Sequence, residues 1–220
     1  MPNPNKQPAH GRALGFVLCF CLAVISGCNS AEAQLPFERP PIRYSTTDAN
    51  DAVAELGKRV DSGQTNLEYD PKFGYLNSLL KELRIPVDSQ TLVFAKNSLQ
   101  RIKISPHNPR AIYFNDETYL GYVPGGEVIE IASTDAMLGT VFYTLSQSTD
   151  LDPPRLQRKT EQCLFCHASS HTGRVPGLMM QSVFSDSNGY RAFPQESIFP
   201  KPTGSLEGRW AGWFVTGTHG

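Results

Sequence analysis

The sequence predicts an α+β fold: two N-terminal helices packed on a short antiparallel β-meander, followed by a loop-rich segment. Three observations carry this expectation. Residues 50–60 and 70–83 place apolar side chains at helical spacing. Five short β-branched or aromatic runs then follow between residues 91 and 146. Beyond Ser148 the periodicity dissolves, and 17 Pro with 18 Gly require much of the chain to be loop.

The chain opens on a leader. Lys6 and Arg12 are the only full charges in the first 27 residues, and an apolar run from Ala13 to Ile25 follows them. A membrane span needs about 20 such residues, so this shorter run reads as the core of a signal peptide. Ile25-Ser26-Gly27-Cys28 resembles a bacterial lipobox and implies a lipid on Cys28, tethering residues 28–220 to the membrane surface. Ala31-Glu32-Ala33 offers an alternative, ordinary secretory cleavage that would release a soluble periplasmic protein. The lipobox directly follows the apolar core and is preferred. Both readings export the protein.

Residues 28–46 contain Pro36, Pro40 and Pro41 and read as a tether. Residues 47–147 then form the helix and sheet region. Asn50 is the expected N-cap of a first helix that buries Val53, Leu56 and Val60 and ends at Gly63. In the second, Asp70 caps, Pro71 opens the first turn, and Phe73, Leu76, Leu80 and Leu83 form the buried stripe. Pro86 stops it. Strands are expected at 91–95, 111–115, 118–123, 127–132 and 140–146, a meander of four or five strands. Asn115-Asp116-Glu117 and Pro124-Gly125-Gly126 supply turns between three of them. The aromatics Tyr113, Phe114, Tyr119, Tyr122, Phe142 and Tyr143 read as core and sheet surface.

Residues 148–220 begin with Pro153-Pro154 and a polar lead-in, 155–162, to Cys163-Leu164-Phe165-Cys166-His167. Cys-x-x-Cys-His is the attachment pattern of a c-type haem. Two cysteines three apart reach both vinyl groups from one turn, and the adjacent imidazole becomes the proximal iron ligand. A chance match in a chain of this composition is on the order of 0.003. The other cysteines do not compete: Cys19 and Cys21 lie in the leader and Cys28 is lost or lipidated. No disulfide framework remains. The reading is one covalent haem c held by Cys163, Cys166 and His167.

The sixth iron ligand stays open. Met179 and Met180 follow His167 by 12 and 13 residues, and such a length spans roughly 40 Å when extended. Core packing accounts for them equally well. His219 is a third candidate. His171 lies four residues from His167, so on a helix it shares its face and cannot bind the opposite side of one haem.

Three rivals read the same residues differently. A zinc site would crowd Cys163, Cys166, His167 and His171 on one side, without the loop that separates ligand pairs. A thiol oxidoreductase would place the pair at the start of a helix after a core strand, and 158–162 is no core strand. A plain disulfide would close a loop too small to stabilise much. Haem is preferred in each comparison.

Charge narrows the partners. Loss of Lys6 and Arg12 from 20 basic residues leaves 18 against 21 acidic, a net charge of −3. Nothing in this balance points to nucleic acid. Expected partners are a redox protein and, through the lipid, the membrane surface.

The motif alone resembles the c-type cytochrome superfamily. Longer stretches are similar to large exported bacterial haem-c proteins of unestablished function. These are residues 108–116, from Asn108-Pro109-Arg110, then Gly125-Gly126-Glu127-Val128-Ile129-Glu130, the haem motif, and Arg209-Trp210 through Thr216-Gly217-Thr218-His219-Gly220. The resemblance implies haem binding and electron transfer, with Cys163, Cys166 and His167 carried over. It also implies further chain, with further haem motifs, after this point; separately, the apolar run at 209–215 would normally be covered by more protein. A haem enzyme with an open sixth position and a non-redox surface lipoprotein are the alternatives.

Overall fold

In the computed structural model, residues 35–192 and 209–215 are described. The leader, Cys28 and His219 lie outside them. Helix α1, Ala52–Asp61, begins one residue later than expected. Asp51, not Asn50, is its cap, and its Oδ1 accepts from the amides of Val53 at 2.8 Å and Ala54 at 3.1 Å. Asn50 instead donates its amide to Asp135 Oδ2, 2.6 Å away. Val53, Leu56 and Val60 are buried as the spacing requires.

Helix α2, Leu76–Glu82, is shorter than the expected stretch. Asp70 does cap a turn, accepting from Lys72 and Phe73 amides at 2.8 Å each. That turn closes on itself through a bridge between Asp70 and Gly74 rather than opening a helix. Gly74 sits at φ 59°, where Gln147 Oε1 would lie 2.5 Å from an added Cβ. A side chain there would meet both a disfavoured dihedral and a clash.

The strands are β1 Thr91–Val93, β2 Arg110–Phe114, β3 Thr118–Tyr122, β4 Val128–Asp135, β5 Gly139–Ser146, β6 Leu156–Lys159 and β7 Trp213–Phe214. They form one sheet in the order β6-β5-β4-β3-β2-β1-β7, antiparallel at every step.

This corrects the expected fold class. Among the described residues the sheet has seven strands, not four or five, and the α-helices are three, short, and not N-terminal. Nor is the later segment merely loop, because it supplies β6, β7 and a third helix, α3, Gln162–His167. β6 escaped the pattern because Leu-Gln-Arg-Lys shows no apolar alternation. Leu156 packs against the core, and Arg158 reaches the same way, its guanidinium 4.9 Å from the Tyr44 ring and donating to the carbonyls of Tyr44 and Thr47. β7 is two residues long, too short for any period.

Alternation divides the sheet into two unlike faces. On one, Leu120, Ile129, Ile131, Tyr143 and Leu145 are buried with α1 and α2. Tyr143 Oη donates to Asp51 Oδ2 at 2.5 Å, tying β5 to the cap of α1. On the other face stand Arg110, Glu130 and Phe142, and α3 packs there.

Candidate functional site

α3 follows β6 after a gap of two residues. Its inward side chain is Leu164, 5% exposed, and its outward one is Phe165, 88% exposed. Between these, Cys163 is half-buried and packs against the core, whereas Cys166 is exposed. Both are free thiols. The ring of His167 packs on Phe142 with centroids 4.6 Å apart.

His167 is fixed by a reciprocal pair of bonds to Gly177. The Gly177 amide donates to the His167 carbonyl at 2.9 Å, and His167 Nδ1 lies 3.0 Å from the Gly177 carbonyl oxygen. A carbonyl only accepts, so Nδ1 carries the proton and the lone pair stands on Nε2. Burial lowers the proton affinity of the ring, with the Gly177 carbonyl opposing and Arg110 adding to the effect. The imidazole is therefore neutral at pH 7.

The loop between these residues is built to close. Ser169 Oγ accepts from the His171 amide at 3.3 Å, and the Ser169 carbonyl accepts from Arg174 at 2.8 Å. Gly173 and Arg174 take left-handed backbone, at φ 68° and 61°. Buried Pro176 then anchors the loop on β5, its carbonyl accepting from the Thr140 amide at 3.1 Å. Gly139, at φ 77°, permits that approach, because an added Cβ would lie 2.7 Å from the Pro176 oxygen.

The Cys163 thiol is not poised as a redox nucleophile. Burial and the nearby Glu130 push the Cys163 thiol up to about 11, with Lys159 opposing. A thiol oxidoreductase needs a stabilised thiolate. Here Glu161, an acid, occupies the N-cap of α3 and no side chain caps it. The strand that precedes the helix, β6, is a half-exposed edge strand and not a core strand.

Met179 is half-buried and Met180 is 53% exposed. Pinning Gly177 beside His167 leaves three residues to Met180, about 10 Å of chain. The sequence separation from His167 overstated that reach fourfold. His171 is exposed, on a short turn at Ser170–Thr172. Among the described residues no group of three or more His, Cys, Asp or Glu is gathered to hold a metal ion. A haem iron needs no such group, because four of its ligands are porphyrin nitrogens.

Known protein families, curated proteins and solved structures offer no match to this chain. The reading therefore stands on the site. Its donor set fits haem c: two thiols three residues apart on a helix, and an imidazole whose outer nitrogen is held by a backbone carbonyl. Among the described residues no helix is long and apolar enough to cross a membrane. The sequence marks Phe142 as core or sheet surface and gives Gly177 no part in the site. The signal that could have found Gly177 is Pro176-Gly177 lying about ten residues past the histidine, where a loop can return.

Proposed function

We propose that this chain is an exported c-type haem protein that transfers single electrons, its haem held by Cys163, Cys166 and His167. The observation that carries the reading is the bond from His167 Nδ1 to the Gly177 carbonyl, which presents Nε2 as the ligand atom. Cys163 and Cys166 serve as thioether anchors from one helical turn. When bound, the haem supplies the Fe(III)/Fe(II) couple. His167 sets its electron density, made more basic by the carbonyl behind it, and Phe142 holds the ring in place. Cys28 carries the lipid that keeps the protein at the membrane surface, or cleavage after Ala33 releases it to the periplasm. The partner is a redox protein.

A haem stain on a denaturing gel, after periplasmic expression with cytochrome c maturation factors, tests the reading. A stained band at the protein's mass is expected. An unstained band from folded protein removes haem and leaves the lipoprotein binding module.

One observation favours a second reading, a haem enzyme with an open sixth position. The short slack between Gly177 and Met180 makes a methionine hard to carry around the porphyrin edge. Met180→Ala is expected to leave the visible spectrum unaltered. Rapid carbon monoxide binding to the ferrous protein would then support the open site; a low-spin spectrum that resists it would support a carrier with His219 as ligand.

A further inference from the structure

On the α3 side of the sheet, Arg110 of β2 and Glu130 of β4 meet across β3. Arg110 Nη1 lies 3.1 Å from Glu130 Oε2, and the two side chains are 18% and 20% exposed. The residue between them is Gly121, where an added Cβ would lie 3.5 Å from Arg110 Cδ and 3.6 Å from Glu130 Oε2. Its bare backbone lets the pair lie flat over the strand.

The pair is incomplete. Arg110 Nε and Glu130 Oε1 are both buried without a hydrogen-bond partner. A buried donor on a guanidinium is costly to leave unpaired, and a cofactor acceptor is one way to pair it. The pair also stands close to the haem motif. Ala132 is opposite Phe142 in the β4–β5 register and Glu130 is opposite Thr144. Glu130 is thus a diagonal neighbour of Phe142, with a separation of about 7–8 Å. Phe142 in turn carries the His167 ring. The electrostatic influence of Arg110 reaches His167, and that of Glu130 reaches Cys163.

We propose that Arg110, oriented by Glu130, is a positioning residue that binds a propionate carboxylate of the haem. This rests on the haem c reading. A porphyrin joined to Cys163 and Cys166 through its vinyl edge turns its two carboxylates away from the cysteines. A planar guanidinium with a free Nε edge matches a carboxylate in two-point geometry. Glu130 takes Nη1 and leaves that edge available. Lys159, opposite Phe142 in register, is another cation on this face, and its Nζ donates to Gln157 Oε1 at 3.1 Å.

The test is the pH dependence of the reduction potential of the full-length haem protein. An ion-paired propionate is already ionised across about pH 4–6, so it adds no slope to the wild-type potential there. Arg110→Gln/Glu130→Gln removes the guanidinium and the neighbouring carboxyl together, so Glu130 cannot supply a titration of its own. The double variant should keep its covalent haem and circular dichroism while its potential falls with rising pH across that range. Arg110→Lys should give an intermediate slope.

A double variant with intact haem and the wild-type slope overturns the proposal. Should the variant not fold, the propionate-bending Raman bands of the wild-type haem decide. Constancy of at least one of the two propionate bands between about pH 4 and 7 supports the pairing, and a shift of both within the carboxylate range refutes it. Absence of covalent haem from the wild type sinks the haem c reading instead, so the two failures are distinct.

Discussion

His167 shows how one main-chain carbonyl decides what a side chain can do. Without the Gly177 contact the imidazole would choose between two tautomers; with it, Nε2 alone keeps a lone pair. Burial also leaves a mark on stability. The folded-state proton affinity of His167 is lowered, so the folded protein binds fewer protons than the unfolded chain. Stability is complete above the ordinary histidine value of about 6.5 and is lost as pH falls through the lowered folded value. In a Cys163→Ala/Cys166→Ala background, which carries no covalent haem, the thermal midpoint should drop on acidification below about pH 6.5. Adding His167→Gln should flatten that drop. An equal acid sensitivity with and without His167 would show that the buried ring is not its source. The motif residues themselves were evident in the sequence, since Cys-x-x-Cys-His is a local pattern. Arg110, Glu130 and Phe142 were not, because only strand pairing brings them beside it.

Elements were legible where their side chains alternate and obscure where they do not. β2 through β5 lie within a few residues of their expected places, because Tyr113, Leu120, Ile131 and Tyr143 mark a buried face. β6 was hidden by its charges, and the start of α2 by an Asx turn at Asp70 that imitates a cap. The loop from Ala168 to Pro176 is the element on which the site depends. Its hold on β5 requires Gly139, whose positive φ and 2.7 Å clearance both oppose a side chain. Gly139→Ala should destabilise the protein by about 1–3 kcal/mol in chemical denaturation. It should also loosen His167, seen as a broadened or altered haem spectrum. A variant with wild-type stability would mean that the loop does not need this anchor.

At the scale of the molecule, the sheet separates two tasks. One face packs against α1 and α2; the other carries the Arg110–Glu130 pair and Phe142, on which His167 of α3 packs. Residues 142 and 143 illustrate the division, since Phe142 holds His167 while its neighbour Tyr143 bonds the cap of α1. The expected small meander with a loop-rich appendage failed on this point, because the later chain is woven into the sheet at both edges. Edge pairing by polar or two-residue strands is a tertiary event and leaves little local pattern. The central claim is that Cys163 and Cys166 carry one haem. Intact-mass spectrometry of the denatured protein, matured in the periplasm, tests it most directly. The account predicts a mass increased by one haem, and the unmodified mass for Cys163→Ala/Cys166→Ala. An unmodified wild-type mass, from protein that is folded and exposed to the maturation machinery, would contradict it.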